Sequence, residues 1–490
     1  MVWINFVYNA VNQLLTIAIP LITTPYLSRI LGAGGIGRFS YAYSIANYFV
    51  LFSMLGLNNY GNRTIAKVRD RRAKCSKTFW EIYLFQLSFA APCCLLYFAY
   101  SWFLSDDKKI ALIMFVYVLS GAIDINWFFY GIEEFKTTVK RNVLVKLCTT
   151  VLLFMLVKTA QDVYVYCIIY ASGMLITQII LWFYLKNYVD FCPVKPGDLF
   201  KHFKPNIILF IPVVAVSLYK VMDKIMLGLM ANKVEVGYYE SCDKIMLVPI
   251  SMAVALGMAM LPRISNLVAN KNEAQSRKYI QISISLVMVI TCPLALGIIA
   301  VAPDFVPVFY GKGFDKCVQV FEVIMPSCFF LAFANVIRTQ YLIPYEKDRV
   351  YIISVFIGAI VNLLLNSLFI PIYQSVGAAI GTLCAEFAVC FTQAIAVRKS
   401  LPIKQYVSGS IPFLVMSLMM LCVVRIVPLE AVSIRMRLLL KTAIGGFLYI
   451  TLVLIYAFTI KKVDFRYVMN IVCNAVRHNK GVSTQKTHRG

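Results

Sequence analysis

The chain has 490 residues, of which 60% are hydrophobic and only 14% are charged, and its mean hydropathy is +0.76. Soluble domains contain about 45–50% apolar and about 25% charged residues, so this composition excludes a water-soluble globular protein. The formal charge of +24 does not indicate nucleic-acid binding, because the basic residues lie in short segments between long apolar runs, as in the cytoplasmic loops of membrane proteins.

Apolar runs long enough to cross the hydrocarbon layer recur along the whole chain and predict about fourteen transmembrane helices. We therefore expect an all-α integral membrane protein without a soluble domain. The longest polar segment is a basic tail at residues 461–490. The predicted spans are residues 2–30, 38–60, 79–104, 110–131, 143–160, 163–186, 205–231, 238–262, 279–303, 318–342, 350–371, 377–397, 407–427 and 438–460.

The distribution of lysine and arginine predicts the orientation of these spans. Basic residues concentrate in alternate loops, and the positive-inside rule places those loops in the cytoplasm. With an even number of spans, both termini are then cytoplasmic, and the basic cluster within residues 63–77 is expected to contact anionic membrane lipid. The predicted cytoplasmic segments are 61–78, 132–142, 186–204, 263–278, 344–349, 398–406 and 461–490.

A weak internal repeat indicates two lobes. Pro20 lies in a span that leads through a tight outer turn to Gly37, and Pro212 lies in a span that leads similarly to Gly237. Transporters are often built from such repeats, with the binding site between them. We predict two six-helix lobes around a central cavity and two further helices. The predicted divisions are 1–186 (first lobe), 187–204 (cytoplasmic linker), 205–397 (second lobe), 398–460 (two helices) and 461–490 (tail).

The first predicted span carries a stripe of polar side chains that recur every three or four residues and share one face of a helix. Polar side chains are costly against lipid, so we expect this stripe to line a watery cavity. Hydrogen bonding between packed helices remains the alternative. The stripe consists of Asn5, Asn9, Asn12, Gln13, Thr16, Thr23 and Thr24.

Charged residues form two similar clusters in the seventh and eighth spans. Lys220, Asp223 and Lys224 share a helical face, and the same spacing recurs on the next span. These spans form an antiparallel hairpin, so the clusters should meet at a similar depth. They are either ion pairs that fix the geometry of the lobe or a charged cavity wall that binds an anion or a coupling ion. The second cluster is Glu240, Asp243 and Lys244.

Other polar residues within the spans are also candidates for function, because such residues are rarely placed in hydrocarbon without a role. For the two arginines among them, the alternative to a functional role is that the side chain only extends along the helix to the membrane surface. They are Arg29 in the first span, Asp124, Asn126 and Trp127 in the fourth, Asn335 and Arg338 in the tenth, Asn362 and Asn366 in the eleventh, and Glu386 in the twelfth.

Several segments resemble the Wzx-type oligosaccharide flippases of the polysaccharide biosynthesis protein family, which shares a superfamily with multidrug and toxin extrusion antiporters and lipid II flippases. The resemblance covers nearly the whole chain and is strongest at residues 124–136 and 361–386. The similar segments are PLITTPYLSRILGAGGIGRFSYAYSIANYF, GLNNYGNRTIA, DINWFFYGIEEFK, QYLIP and VNLLLNSLFIPIYQSVGAAIGTLCAE.

This resemblance implies alternating access in a prokaryotic cell membrane, with a polyprenyl-diphosphate-linked oligosaccharide as substrate and polysaccharide polymerase machinery as a partner. Cationic side chains would then attract the diphosphate, and amides and an indole ring would contact the sugars. The diphosphate candidates are Arg29, Lys220, Lys224, Lys244 and Arg338; the sugar and cavity candidates are Asn5, Asn9, Asn12, Asn126, Trp127, Asn335, Asn362 and Asn366.

No cofactor is expected, but the buried carboxylates leave open that transport is coupled to the movement of H⁺ or Na⁺. The coupling candidates are Asp124, Asp223, Asp243 and Glu386. A cation-coupled drug antiporter on the same fold is the alternative function, although the excess of basic residues within the spans argues against it. An enzyme is not expected, because the sequence has no HExxH, GxSxG or Walker A motif, and its three histidines lie in a loop and the tail.

Overall fold

The computed structural model describes residues 2–195, 197–429 and 431–460, and the side chains of these ranges except at residues 2–17, 219 and 460. The described chain is helical and has no β-strand. Its first helices, α1–α8, are Val2–Met54, Leu57–Ala66, Arg72–Ala99, Lys108–Ala122, Asn126–Gly131, Phe135–Leu156, Val163–Leu185 and Gly197–Phe200. Helices α9–α17 are Phe203–Met230, Lys233–Ala269, Glu273–Phe309, Lys316–Ile324, Ser327–Ile337, Asp348–Tyr373, Ser375–Val397, Ile403–Ile426 and Ile434–Ile455. The predicted basic tail, 461–490, lies outside the described residues.

The helices confirm the predicted fold class. Ten stretches are long and apolar enough to cross a membrane, or eleven if the bent helix α9 is one span. Helix α1 holds the first predicted span and most of the second, which ends in α2. A kink at Gly32, whose φ of 64° is readily adopted by glycine alone, divides α1 between them. Helix α6 corresponds to the predicted fifth span. These helices agree roughly with the expected count of about fourteen spans.

Several predicted spans are broken or bent, which hydropathy does not reveal. The fourth is divided into α4 and α5 by a non-helical stretch at residues 123–125, and the tenth into α12 and α13 at Met325 and Pro326. The tenth then continues as a π-helical turn, Arg338–Leu342. Helix α9 bends by 47° between Leu218 and Lys220. Interruptions of this kind in membrane helices commonly line binding sites.

The apolar core is divided between the two ends of the chain. Helices α1–α7, here called the N-lobe, pack around one cluster that contains Phe79 and Trp127 and another that contains Phe39 and Tyr117. Helices α9–α15, here called the C-lobe, pack around a larger cluster. Helices α16 and α17 lie against α11, where buried Asp304 pairs with Arg437 at 2.6 Å and Lys441 at 2.9 Å.

Two repeat-related glycines meet where the lobes touch on the predicted outer side. A Cβ atom on Gly37 would collide with the carbonyl oxygen of Lys233, and one on Gly237 would collide with the carbonyl oxygen of Ala33. The relation is reciprocal: Gly37 faces the carbonyl group of the residue four positions before Gly237, and Gly237 faces that of the residue four positions before Gly37. We call this reciprocal, backbone-to-backbone contact the outer crossing; small residues allow such close approach between membrane helices.

Substitution of Gly37 by alanine should separate the outer ends of the lobes, because the new methyl group takes the place of the Lys233 carbonyl oxygen. Spin labels introduced as non-canonical amino acids at exposed Gln161 and Lys312, one on each lobe, would report a longer distance in pulsed EPR. Gly34→Ala is the matched control, because its methyl group meets only Val234 Cγ2, at 3.7 Å. An unchanged distance in Gly37→Ala would mean that the outer crossing does not hold the lobes together.

Candidate transport cavity and ion site

A buried carboxylate on α9 is the centre of a polar cluster in the C-lobe. Asp223 accepts hydrogen bonds from Tyr239 Oη at 2.6 Å, from Asn366 Nδ2 at 2.6 Å and from Thr382 Oγ1 at 2.9 Å. These partners come from α10, α14 and α15, so four helices contribute to the cluster. Asp223 is 1% exposed and has no basic side chain within salt-bridge distance in the described chain. A monovalent cation or a proton would complete the neutralisation of this buried charge.

The surroundings of Asp223 are rich in oxygen atoms. Asn362 Oδ1 lies 3.2 Å from Asn366 Nδ2, and the carbonyl oxygen of Ala378 lies 3.0 Å from Thr382 Oγ1. The buried Asn366 Oδ1 atom has no hydrogen-bond partner. It faces Gly381, where even a Cβ atom would collide with it. Oxygen ligands of this type suit a hard cation such as Na⁺. We call Asp223, Tyr239, Asn362, Asn366 and Thr382 the ion site.

Lys224 and Lys244 are paired with carboxylates of α10. Lys224 Nζ lies 2.6 Å from Glu240 Oε2 and 3.0 Å from Asp243 Oδ2, and Lys244 Nζ lies 3.2 Å from Glu240 Oε1. Ser40 of the N-lobe also donates to Glu240, at 3.0 Å. Two ammonium groups and two carboxylates thus balance each other. An incoming diphosphate would have to displace one of these partners to bind either lysine.

Lys220 differs from Lys224, which lies one turn further along the same helix. Its side chain is exposed and makes no hydrogen bond or salt bridge with any described residue. Glu386, which is 3% exposed, is near enough to interact with it electrostatically but lies beyond salt-bridge distance. Because α9 runs outward from the predicted cytoplasmic side, Lys220 lies one turn closer to that side than Lys224. It keeps three ammonium donors free for a ligand.

The two arginines predicted to bind diphosphate occupy opposite ends of the structure. On the predicted outer side, Arg29 donates to the carbonyl oxygens of Pro25 at 2.9 Å and Val308 at 2.6 Å, which joins α1 to α11. On the other side, Arg338 begins the π-helical turn, and its guanidinium lies 5.3 Å from the centre of the Tyr351 ring. The buried Nε atom of Arg338 has no partner, and neither does Asn335 Oδ1 one turn away.

The break between α4 and α5 places Asp124 at a cavity between the lobes, which we call the polar cavity after its amide and carboxyl groups. Apolar side chains form the rest of its wall: Val50, Leu51, Met54, Leu55 and Val213. Asp124 Oδ1 accepts from the backbone N–H of Asn126 at 2.8 Å and from its Nδ2 at 2.7 Å. The carboxylate lines a cavity of about 190 Å³ together with Asn47, Asn58 and Asn59 of the N-lobe and Val213 of α9. Small-molecule sites usually have about 300–1,000 Å³, so a ligand larger than one sugar would enter only if the lobes separated.

Trp127 and Asn126 lie inside the N-lobe. The Trp127 side chain is fully buried; its indole N–H donates to Gln86 Oε1 at 3.0 Å, and its ring stacks on Phe79 with centroids 5.5 Å apart. The Asn126 amide donates to Gln178 at 3.2 Å and accepts from Arg141 at 2.9 Å. Neither side chain is placed in the polar cavity in this conformation. The side chains of Asn5, Asn9 and Asn12 lie outside the described residues.

Sequence reasoning missed the side chains that complete these sites. Gln86 Nε2 donates to the carbonyl oxygens of Gly121 and Asp124, each at 3.0 Å, and so satisfies groups that the broken helix leaves free. Tyr239 and Thr382 bind the Asp223 carboxylate. Two signals were available: Gln86 is a polar residue within an apolar run, and Thr382 lies one helical turn before Glu386.

Family models match both halves of the chain. The model of the polysaccharide biosynthesis protein family matches residues 2–268, and the model of the lipid II flippase MurJ matches residues 198–458. A protein of Escherichia coli strain K12 named "Putative O-antigen transporter" is 24% identical over 401 residues, which are 81% of this chain and 96% of that protein.

Solved structures share the fold at low sequence identity. The structure described as "Lipid II flippase MurJ, inward closed conformation" is 15% identical with a TM-score of 0.71, covering 93% of this chain and 98% of that one. An inward-facing multidrug resistance MATE transporter of the MOP superfamily is 13% identical with a TM-score of 0.60, covering 80% and 96%.

Gln86→Leu should destabilise the N-lobe, because it keeps the side-chain volume but leaves the carbonyl groups at the helix break and the Trp127 indole without partners. Each unsatisfied buried group costs about 1–3 kcal/mol. Thermal unfolding of the purified protein should therefore start several degrees lower. Ser88→Ala on the same helix is the control, because its hydroxyl bonds only the nearby carbonyl oxygen of Phe85 at 2.7 Å. Equal losses in both variants would contradict the capping role of Gln86.

Proposed function

The chain belongs to the polysaccharide biosynthesis protein family, and from this membership we propose that it is a flippase for a polyprenyl-diphosphate-linked oligosaccharide. It carries the repeat unit from the cytoplasmic to the outer leaflet of a prokaryotic cell membrane, with both of its termini in the cytoplasm. The observation that carries the proposal is the family match over residues 2–268. The Escherichia coli relative, named as an O-antigen transporter, supports the same substrate class.

The task of such a protein is to move charged phosphates and several sugars through hydrocarbon while the lipid tail remains in the bilayer. Lys220 and Arg338 are the cations we assign to the diphosphate. Both retain donors without protein partners, whereas Lys224 and Lys244 are neutralised by Glu240 and Asp243. Guanidinium and ammonium groups bind phosphate oxygens through charge-assisted hydrogen bonds.

The polar cavity at Asp124 is the place we assign to the first sugars. Asn47, Asn58 and Asn59 supply amides that hydrogen-bond to hydroxyl groups. Since the cavity holds only about 190 Å³, loading requires the lobes to rock apart on the cytoplasmic side. Release then requires the outer crossing of Gly37 and Gly237 to open. The chain acts as a transporter and catalyses no covalent step in this scheme; polysaccharide polymerase machinery would use the exported unit.

The membrane potential itself favours export. It is worth about 2.3 kcal/mol per elementary charge per 100 mV, so an anion of two charges leaving an inside-negative cell gains about 4–5 kcal/mol. An ion is therefore not needed to make export downhill. We propose that a cation or proton at Asp223 instead sets the packing of α9 and α10 within the C-lobe. Since α10 also contacts the N-lobe, where Ser40 donates to Glu240, this packing would influence how the two lobes are arranged.

The test of the flippase proposal is the side of the membrane on which lipid-linked oligosaccharide lies in cells depleted of this chain. Repeat units should accumulate and become inaccessible to a membrane-impermeant periodate or lectin probe. Complementation with Lys220→Gln should restore export about tenfold more slowly than wild type, the size of one lost charge-assisted hydrogen bond.

Lys204→Gln is the matched control, because Lys204 is an exposed lysine on the same helix. Protein levels in the membrane must be equal in all strains. If depletion changes neither the amount nor the accessibility of the oligosaccharide, the flippase proposal fails in that host. Efflux of a cationic dye would then test the antiporter alternative.

Asp223→Asn should abolish ion binding with little change in shape, because the amide is isosteric with the carboxylate. If Na⁺ is the ion, the Tm of the wild-type protein should rise when NaCl replaces KCl, by linkage to the folded state. If a proton is the ion, Tm should depend on pH and not on Na⁺. Asp223→Asn should lose the response, and Asp315→Asn in an exposed loop should keep it. A response retained by Asp223→Asn would exclude Asp223 as the coupling group.

A further inference from the structure

A second cavity lies beside the outer crossing, on the predicted outer side of the membrane. It has a volume of about 380 Å³, within the range of about 300–1,000 Å³ found for small-molecule sites. We call it the outer pocket. Its walls are the second half of α1, the last turn of α3 with the π-helical turn that follows it, the 105–107 connection, the first turn of α4, the first turn of α7 and the first residue of α10. The side chains that matter here are Arg38, Tyr41, Tyr100, Asp106, Tyr164 and Lys233.

The charges in the outer pocket are balanced. Arg38 donates to Asp107 Oδ2 from Nε at 2.9 Å and from Nη2 at 2.5 Å, and also to Tyr164 Oη at 2.8 Å. Lys233 Nζ lies 3.7 Å from Asp106 Oδ2. Two cations thus face two carboxylates, so the pocket has no net attraction for a diphosphate. A neutral ligand with many hydroxyl groups fits it better, because carboxylates, phenols and a guanidinium offer both acceptors and donors.

Aromatic rings supply the other half of a sugar site. Tyr41, Tyr100 and Tyr164 are all half-buried, so each presents a ring surface as well as a hydroxyl group. Lys233 Nζ now covers the Tyr41 ring, 3.3 Å from its centre. The C–H face of a pyranose can stack on such a ring while its hydroxyl groups bond to the carboxylates beside it. The ring of Tyr41 is therefore a place where Lys233 and a sugar exclude each other.

Lys233 connects the outer pocket to the outer crossing. Its ammonium group covers Tyr41 and donates to the carbonyl oxygen of Gly228 at 2.9 Å, while its own carbonyl oxygen faces Gly37. The same residue thus holds the lobes together through its backbone and closes the pocket through its side chain. A ligand that displaces the ammonium group removes one of the contacts between the lobes.

We propose that the outer pocket is a second, exit-side glycan site, which takes one or two sugar residues of the substrate as the lobes part. The proposal rests on the flippase function proposed above. The sugar replaces Lys233 on the Tyr41 ring and bonds to Asp106. Occupancy of the pocket consequently favours the open outer crossing, and the head group is passed outward rather than back into the cavity at Asp124.

The experiment measures glycan binding to the full-length protein in nanodiscs by saturation-transfer NMR. One probe is the oligosaccharide released by mild acid from the host's own lipid-linked pool, and the other is the intact lipid-linked form. Asp106→Asn and Tyr41→Leu should each weaken binding of the free oligosaccharide about fivefold or more, since each removes one stacking or hydrogen-bonding partner. Inorganic diphosphate should not compete.

Lys233→Ala supplies a readout that a purely structural role would not give. Truncation of the side chain uncovers Tyr41, so the free oligosaccharide should bind about two- to fivefold more tightly, the size of the cation–π contact that it no longer displaces. Lys312→Ala, in an exposed loop, is the matched control. A loss of binding in Asp106→Asn cannot be explained by misfolding, because the Asp106 side chain is 81% exposed and its substitution leaves the packing unchanged.

The outcomes separate the two proposals. Binding of both probes with the expected order of variants supports the exit-side site. Absence of binding, or equal binding by all variants, in a chain whose depletion traps lipid-linked oligosaccharide inside the cell would overturn the outer pocket alone. Binding of the free oligosaccharide in a chain whose depletion has no such effect would overturn the exit-side role together with the flippase function.

Discussion

Hydrocarbon offers no hydrogen bonds, and this constraint explains how the buried polar groups at the helix break and within the spans are paired. Where α4 stops at Ala122, Gln86 from α3 supplies donors to the carbonyl oxygens that the broken helix releases. Where Lys224 lies within a span, Glu240 and Asp243 of the neighbouring helix lie within 3.0 Å of it. A broken helix or an internal lysine is stable in this environment because another span carries its partner.

The same constraint gives meaning to buried polar atoms that have no partner. Such atoms cost about 1–3 kcal/mol each, yet Arg338 Nε, Asn335 Oδ1 and Asn366 Oδ1 are all left unsatisfied. They lie in two places of the C-lobe, the π-helical turn of the tenth span and the ion site. A phosphate oxygen at the first would accept a hydrogen bond from Arg338 Nε, a hydroxyl group of the sugar could donate to Asn335 Oδ1, and a cation at the second would contact Asn366 Oδ1. The two proposed ligands would therefore bind the same lobe without sharing side chains.

The sequence predicted what depends on long apolar runs and on helical spacing. The membrane fold follows from hydropathy. The spacing within the seventh and eighth spans predicted that their charged clusters meet, and in the structure Lys224 pairs with Glu240 and Asp243, which is one of the two interpretations left open. Contacts between distant spans were not predictable in this way. Nothing local tells whether the indole of Trp127 faces a cavity or Gln86, because its orientation depends on the helix break and on the packing of Phe79.

The internal repeat links the fold to the transport step. Gly37 and Gly237 were visible in the sequence as equivalent positions, but only the structure shows that each faces the backbone of the other's helix. These two helices, one from each lobe, meet at the outer crossing, so the lobes can part on the predicted outer side only if this contact breaks. Lys233 lies at this place, with its carbonyl group in the outer crossing and its ammonium group over Tyr41. Because one residue serves both contacts, a ligand that competes for Tyr41 acts directly on the closure of the lobes.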